Sequence, residues 1–335
     1  MYGHKILITG QAVEATPQPC GDAVAEDLSG LSEEAMLVRE TIPMTSPLWV
    51  AGSFNFFIFD RHEMTDGDAQ GRIAVGNKAV YNRYAIAPYI NQNEAPYPVA
   101  MVLGNDGTLS IKSGHVNGNI ITNNKANVKT EATANVTIDE MDVNKDIIDF
   151  KALQAKYMTL SYFLALKIPN GTVKVNPYDP NSLELIAPDN PGNRIIFTLP
   201  KEITKLGEIK IKNVDLSKNP TIIINSFGNA IGQTGQMTIN GDSELATNYA
   251  GNILWNLPFA YTGLSVPVAG TIYGSVLAPS GDFKVAGWGH IEGTFIANSF
   301  VSEGSFEGHN NVFRGKIPPV TCPNLAELEY WMSLN

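Results

Sequence analysis

The residues best suited to chemistry are the carboxylates of one short acidic segment. Asp60, Glu63, Asp66 and Asp68 lie close together in a stretch whose glycine and polar residues predict a turn-rich loop. Clustered carboxylates suit acid–base catalysis or a hard cation such as Ca²⁺. Their spacing does not match the EF-hand pattern. The segment is therefore a candidate calcium loop, and we favour a solvated loop over a metal site.

The histidines do not form a recognisable constellation. His4, His62, His115, His290 and His309 lie far apart in the sequence. His115 and His290 occupy the same position in two repeated segments, which favours a structural place at a corner over metal binding or catalysis. No nucleophile elbow, zinc-protease pair, phosphate loop or dinucleotide fingerprint occurs. We predict no catalytic residue, no metal and no cofactor, and a protein that is not an enzyme.

The two cysteines, Cys20 and Cys322, lie near opposite ends of the chain. Neither has companion ligands at zinc-like spacing. Free thiols, a disulfide within the chain and a disulfide between chains all fit the sequence.

Composition narrows the class of protein. The chain has 335 residues, of which 44% are hydrophobic and 17% charged, and its net charge is −10. A chain of this length and hydrophobic content can bury a large core. Its net negative charge disfavours nucleic acid as a partner. No apolar run approaches the roughly 20 residues of a membrane span, so we predict no membrane insertion. No signal peptide or anchor is visible in this chain.

Internal repeats carry the strongest structural signal. GTIYGSVLAPS at residues 270–280 aligns without a gap with GHIEGTFIANS at residues 289–299, at an offset of 19. GHVNGNIITNN at residues 114–124 has the same pattern. Short apolar strands between glycine and asparagine corners are typical of a parallel β-solenoid, in which each coil needs its neighbours to bury a core. A β-sandwich with similar hairpins is the alternative.

One segment has helical rather than β periodicity. Residues 146–168 place apolar side chains on one face of a single helix, at Phe150, Leu153, Tyr157, Leu160, Leu164 and Ile168. Asp146 and Asp149 would cap its start, and residues 169–171 would end it. We expect this helix to pack along the flank of the solenoid. Shorter helices are predicted near residues 31–39 and 325–331.

Four further side chains bear on ligand binding. The repeats favour Trp255, Tyr273 and Trp288 pointing inward, with outward-facing Tyr273 and Trp288 as the alternative, and Asn256 lying at a corner. A row of outward aromatics would be the one binding feature that the sequence offers. Ice binding would need a flat, regularly spaced array of Thr, and none recurs at coil spacing.

Several ordered motifs resemble a known family. These are GSFNFFIFD at residues 52–60, GRIAVG at 71–76, IIDFKA at 147–152, ILWNLP at 253–258, GSVLAP at 274–279, GTFIA at 293–297 and FRG at 313–315. Together they resemble the bacterial choice-of-anchor A domain, also described as an ice-binding-like adhesive domain.

The resemblance implies a mainly β, right-handed parallel β-solenoid, similar to ice-binding proteins, with one long α-helix packed along its flank. We expect an N-terminal arm with a short helix at residues 1–48, the adhesive-type solenoid at 49–317, and a tail with a short helix at 318–335. The two cysteine-bearing flanks could support self-association.

The predicted function is that of a non-enzymatic bacterial surface or matrix protein. It would act in adhesion, binding an unidentified protein or polysaccharide, or as a structural subunit of an extracellular or spore-surface assembly. The alternative from another class is a polysaccharide-active β-helix enzyme, and ice binding ranks below both.

Overall fold

The computed structural model describes residues 19–20, 30–42, 46–90, 98–131, 136–231, 236–260, 265–318 and 320–321. Three α-helices lie in these ranges: α1 (Glu33–Thr41), α2 (Phe150–Ala165) and α3 (Ser243–Asn248). The rest of the regular structure is mostly β, as the composition predicts.

The strands, in chain order, are β1 (Pro19–Cys20), β2 (Phe54–Ala69), β3 (Arg72–Val75), β4 (Lys78–Ile86), β5 (Val99–Leu103), β6 (Thr108–Ile111), β7 (Gly114–Val116), β8 (Asn119–Thr122), β9 (Val128–Thr130), β10 (Ile138–Glu140), β11 (Thr172–Asn176), β12 (Asp179–Ile186), β13 (Arg194–Leu199), β14 (Ile209–Lys212), β15 (Thr221–Ser226), β16 (Met237–Ile239), β17 (Ile253–Asn256), β18 (Ser265–Tyr273), β19 (Ser275–Glu292), β20 (Phe295–Ser302), β21 (Phe306–His309) and β22 (Val320–Thr321).

The chain divides into two compact units. The smaller combines Met1–Glu26 with Pro318–Asn335, and in it β1 pairs antiparallel with β22. The larger, Asp27–Ile317, holds all the other strands and the three helices. The predicted C-terminal helix near residues 325–331 lies outside the described residues.

Long strands of the larger unit bend at corners and contribute to three faces. Face 1 contains β3, β5, β8, β10, β13, β15 and β17, with the first parts of β2, β19 and β20. Face 2 contains β6 and β9, with the middle of β2 and β19 and parts of β4, β18 and β20. Face 3 contains β7 and β21, with the last parts of β2, β4, β18 and β19. Neighbouring strands on all three faces are parallel, which matches the predicted stack of coils.

The order of the coils differs from the order of the chain. On face 1 the sequence of neighbours is β10-β8-β5-β3-β2-β20-β19-β17-β15-β13. The first coil, in β2, therefore pairs with the last coil, in β20 and β21, as well as with the second coil, in β3 and β4. We call the contact of β2 with β20 and β21 the seam. Because of the seam, the chain enters the stack in its middle.

One continuous core fills the interior of the stack. The repeats predict that Ile272, Val276, Ile291 and Phe295 point into it, and all four are buried there at 1% exposure or less. On face 3, Ile272 stacks on Ile291 in register, and Ile291 stacks on Gly308. This result confirms the stacked-coil interpretation of the repeats.

Helix α2 covers the outer side of face 1. Its buried residues are Phe150, Tyr157, Leu160, Ser161 and Leu164. The outward residues of face 1 beneath it are apolar and fully buried, for example Phe57, Leu254, Leu277 and Ile296. Face 1 is therefore buried on both sides, whereas faces 2 and 3 present polar residues to solvent.

The helix is shorter than the sequence predicted. It begins at Phe150, with Asp149 as the N-cap accepting a hydrogen bond from the backbone N–H of Ala152, and Asp146 lies in a preceding π-turn, Val143–Ile147. At the other end Ile168 lies beyond the helix and is 87% exposed. The predicted capping role of Asp146 and the place of Ile168 on the apolar stripe are wrong.

Buried polar side chains fix the helix on face 1. The Asn256 amide donates to the backbone carbonyl of Ser161 (2.8 Å) and to Asn225 Oδ1 (2.8 Å), and it accepts from the Ser161 hydroxyl (2.6 Å). Asn225 in turn donates to the carbonyl of Leu164 (3.1 Å). Asn256 thus joins the helix to the sheet rather than forming a corner, because a buried amide needs all its partners.

The seam contains a buried histidine. His62 lies in β2, fully buried, with its ring 4.7 Å from that of Phe56 and 5.9 Å from that of Phe300. Its Nδ1 lies 2.9 Å from the Tyr81 hydroxyl, and its Nε2 has no hydrogen-bond partner within the described structure. Burial lowers the pKa of His62 to about 3, against a small opposing effect of Glu63.

We predict that Ile291→Asp unfolds the larger unit, because it buries a charge without a partner at a cost of several kcal/mol. Thermal melting followed by circular dichroism should show loss of the folded state or a large fall in Tm. Trp288→Asp is the matched control, since it places the same charge on the same strand at a residue that is 74% exposed. Equal melting temperatures for Ile291→Asp and wild type would contradict the stacked-coil core.

We predict that His62 makes the fold sensitive to acid. Its pKa is about 3 when folded and near 6.5 when unfolded, so between these pH values only the unfolded chain binds the proton. Its contribution to stability is present above pH 6.5 and is lost as pH falls towards 3, with a slope of at most about 1.4 kcal/mol per pH unit.

The measurement is the free energy of unfolding by urea at several pH values. In the double variant His62→Phe, Tyr81→Phe, the free energy of unfolding should fall less steeply with decreasing pH than in wild type. The variant removes the titrating ring and also the Tyr81 hydroxyl, which would otherwise lose its partner. Tyr81→Phe alone should keep the full slope. Identical slopes in all three proteins would show that His62 does not titrate on unfolding.

Candidate functional site

The most distinctive polar cluster lies on face 3, where β19 and β21 are adjacent. Their register places His290 opposite Glu307 and Glu292 opposite His309. Alternate residues of a strand point to the same side. Because Ile291 between them is buried in the core, the two histidines and two glutamates share the outer side. We call these four residues the His–Glu cluster.

The cluster is tightly connected. Glu292 Oε1 lies 2.7 Å from His309 Nδ1 and 3.4 Å from His290 Nε2. The two imidazole rings stack with their centroids 4.4 Å apart and their planes 18° from parallel. The other nitrogen of His309, Nε2, lies 3.4 Å from Glu307 Oε2. One oxygen of Glu292 therefore contacts both imidazoles, and the carboxylate of Glu307 contacts the other nitrogen of His309.

The electrostatics of the cluster follow from these contacts. Burial alone would raise the pKa of Glu292, but the hydrogen bonds and charges of His290 and His309 lower it to about 2. The hydrogen bond to Glu292 raises the pKa of His309, against the opposing effect of burial. The cluster thus stabilises an ionised glutamate beside a histidine that accepts a proton more readily than usual.

Asp68 of β2 extends the cluster across the seam. Ala69 is paired with Gly308, which places Asp68 next to Glu307 on the adjacent coil. Burial and the neighbouring Glu307 raise the pKa of Asp68, and the charge of His309 partly offsets them. Its Oδ1 is buried without a hydrogen-bond partner among the described residues.

The acidic segment predicted from sequence has a different arrangement from the expected loop. Asp60, Glu63, Asp66 and Asp68 all lie within β2, which bends at Asp66 and Gly67, where φ is 63° and 115°. Asp60 accepts from the Asn77 amide at 2.9 Å. In the part of the chain that the structure describes, these four carboxylates do not converge on one point.

The carboxylates on face 2 pair with cations of the protein itself. Glu63 contacts Arg61 at 2.6 Å and Lys78 at 2.9 Å, and Asp66 pairs with Arg83. Exposed pairs of this kind add little to stability, although they leave few carboxylate oxygens for a metal ion. Of the four acidic residues, Asp68 is the one that faces the His–Glu cluster.

Sequence reasoning did not find the pairing of His290 with His309. A corner role was predicted for His290, whereas it lies within β19 beside Glu292. His115 is exposed on β7, and His4 lies outside the described residues. A usable signal was present: His-x-Glu at 290–292 and Glu-x-His at 307–309 are separated by nearly one coil.

The aromatic residues divide between core and surface. Trp255 is buried as predicted, and its Nε1 donates to the carbonyl of Tyr273 at 2.9 Å. Tyr273 is partly buried. The prediction that Trp288 points inward is wrong, since it is 74% exposed, two residues before His290 on the same strand.

The structure describes only the backbone of one cysteine. The side chain of Cys20 and the whole of Cys322 lie outside the described residues. The backbone of Cys20 is paired with that of Val320 in the β1–β22 ladder.

Within the described parts of the chain, no helix combines the length and hydropathy of a membrane span.

One family model matches most of the chain. The family model described as "Putative Ice-binding-like adhesive domain" matches residues 47–310. No curated protein sequence matches the chain.

Solved structures of ice-binding proteins are similar at low identity. The protein of the Antarctic ascomycete Antarctomyces psychrotrophicus is 12% identical, with a TM-score of 0.39, over 80% of this chain and 97% of that one. A protein from an Antarctic biological consortium is 12% identical, with a TM-score of 0.27, over 80% and 88%. One from an Antarctic bacterium of the Flavobacteriaceae is 12% identical, with a TM-score of 0.29, over 76% and 65%. Because the family model matches most of the length of this chain, the chain belongs to the putative ice-binding-like adhesive domain family.

Proposed function

We propose that this protein is a non-enzymatic bacterial surface or matrix protein that acts in adhesion or as a structural subunit of an extracellular or spore-surface assembly. Membership of an adhesive-domain family supports the general class. We further propose that the solenoid is right-handed, with α2 as its single flanking helix, as the family resemblance implies.

The observation that carries the proposal is the exposed side chain of Trp288 beside the His–Glu cluster. Trp288 is 74% exposed, while His290 and Glu307 keep 29% and 44% of their side chains accessible. A large aromatic side chain bordered by charged groups is typical of protein contact surfaces, in which Trp contributes disproportionately to binding. Face 1 is unsuited to this role because α2 covers it. We assign the adhesive surface to face 3.

The same face argues against the two alternatives. Its outward row across four coils reads Thr271, His290, Glu307 and Asp68, which is not the repeated Thr array that ice binding requires. A polysaccharide-cleaving site would need an acid and a base on either side of a substrate cleft. Asp66 is paired with Arg83, and Asp68 faces the His–Glu cluster instead.

We predict that Trp288→Ala weakens adhesion. Fluorescently labelled protein is added to bacterial cells and to immobilised cell-wall polysaccharide, and bound fluorescence is measured over a concentration series. Loss of a central Trp typically weakens binding by 2 kcal/mol or more, or about 30-fold. Tyr178→Ala is the matched control, because Tyr178 is a 95% exposed aromatic in the turn between β11 and β12, which belong to a separate four-stranded sheet, β11-β12-β14-β16, and not to face 3. Equal loss in both variants, or none in either, would contradict the assignment of face 3.

We predict that the purified protein releases no product from common polysaccharides. Reducing ends and unsaturated products are measured after prolonged incubation. Turnover that disappears in Asp66→Asn or Asp68→Asn would establish the enzyme alternative. A thermal hysteresis measurement on the same sample should show none, and a positive result would favour ice binding.

We also propose that the flanks support self-association. The smaller unit is built from both ends of the chain, through the β1–β22 ladder. A unit of this kind can exchange one strand with a second copy, and Cys20 and Cys322 could then make the contact covalent in an oxidising setting.

We predict oligomers of the wild type on non-reducing gels and in light scattering under oxidation. The double variant Cys20→Ser, Cys322→Ser should lose the covalent species and keep the folded monomer. Monomers alone in both proteins, at high concentration and under oxidation, would exclude assembly through the flanks.

A further inference from the structure

We propose that His290, Glu292 and His309 form a binding site for a divalent first-row transition metal of the Zn²⁺ class, with Glu307 orienting His309. Within the described residues, these three are the one group of potential ligands whose donor atoms all lie within 4.8 Å of one another. Two of them come from β19 and one from β21, so the site joins adjacent coils. The proposal does not depend on the adhesive function.

The donor spacing is close to that of a metal centre. Two N or O ligands about 2.0–2.1 Å from a tetrahedral Zn²⁺ lie about 3.3 Å apart. Glu292 Oε1 and His290 Nε2 are already 3.4 Å apart. His309 Nδ1 is 2.7 Å from the same oxygen, and this distance would need to lengthen by about 0.6 Å. A small side-chain rotation of the partly exposed His309 supplies this change.

The surrounding contacts fit a metal-bound histidine. A histidine ligand usually donates its second ring nitrogen to a carboxylate, which fixes the tautomer and directs the first nitrogen at the metal. Glu307 Oε2 lies 3.4 Å from His309 Nε2, on the side opposite Glu292. This arrangement leaves His309 Nδ1 as the nitrogen that faces the shared oxygen of Glu292.

The local charge also favours a cation. Three carboxylates, those of Glu292, Glu307 and Asp68, stand close to two imidazoles. Asp68 has a buried oxygen without a hydrogen-bond partner in the described structure, which is costly unless a nearby positive charge compensates it. A divalent ion at the cluster would reduce the mutual repulsion of these carboxylates.

The ligand types select the class of metal. Two imidazoles and one carboxylate suit Zn²⁺ and its first-row neighbours, whereas Ca²⁺ and Mg²⁺ prefer sets of oxygen ligands. With three protein ligands, a tetrahedral ion keeps one coordination position for water or an external donor. The partial exposure of His290 and His309 places that position towards solvent on face 3.

The test is zinc binding by the full chain carrying Cys20→Ser and Cys322→Ser, so that thiolates do not contribute. The protein is treated with EDTA and dialysed, and its affinity for Zn²⁺ is measured by calorimetry and by competition with a chromophoric chelator. We expect one Zn²⁺ per chain, a rise in Tm with zinc, and no comparable effect of Ca²⁺.

The variants separate the site from other sources of binding. His290→Ala with His309→Ala, and separately Glu292→Gln, should weaken zinc binding by about 100-fold or more. Glu307→Gln should keep the stoichiometry while lowering affinity about 10- to 100-fold, as expected for a residue that orients a ligand. His115→Ala is the matched control, because His115 is an exposed histidine at the equivalent repeat position, and it should bind zinc like the parent.

Circular dichroism in EDTA checks that each variant is folded. A folded parent protein that binds no zinc at 100-fold excess over protein would overturn the proposal. So would binding that survives both the double histidine variant and Glu292→Gln, because the metal would then lie elsewhere in the chain.

Discussion

The seam, where the first coil of the chain pairs with the last, is the contact on which the rest of the larger unit depends. Asn55 shows how closely it is built: its buried amide donates to the carbonyls of Gly293 (3.1 Å) and His309 (2.8 Å), and its oxygen accepts from the N–H of Gly71. One side chain thus joins the last coil to the second. Asn55 is separated from Gly293 and His309 by more than 230 residues, so closing the seam costs loop-closure entropy. The aromatic cluster around Phe56, with Phe300 at 5.4 Å, supplies buried apolar area to offset it.

A chain that enters a stack in its middle must cross its own coils once to reach the far end. Helix α2 makes that crossing. Its 16 residues span about 24 Å, which equals about five strand spacings and matches the distance from β2 to β13 on face 1. The contacts follow this order, from Phe150 against Phe57 at one end to Leu164 beside Asn225 at the other. The crossing covers face 1 from β2 to β13, so in that part of the stack a ligand can reach only faces 2 and 3.

The sequence was informative where structure is local and repetitive. The glycine-punctuated repeats identified the coils, and the apolar periodicity identified α2, although Ile168 extended the pattern by chance beyond the helix end. The fourth copy of the face 3 repeat, at β21, was missed because it carries Gly308 where the others carry Ile or Val. The structure gives the reason: a Cβ at Gly308 would lie 2.7 Å from the Phe56 ring, which occupies that space across the seam. A contact between segments so distant in sequence leaves no local pattern, so the seam itself could not be predicted.

The missing repeat pattern at β21 also explains why the sequence did not predict the His–Glu cluster. His309 belongs to the coil that lacks the repeat pattern, because Gly308 replaces the usual Ile or Val there. Its neighbours His290 and Asp68 lie on the two adjacent coils. The backbone carbonyl of His309 is held by Asn55, so the same amide that closes the seam positions the cluster. Asp68 therefore lies beside the His–Glu cluster only once the first and last coils have met. The three proposed metal ligands come from the consecutive strands β19 and β21, and closure of the seam adds the charge of Asp68 from the first coil beside them.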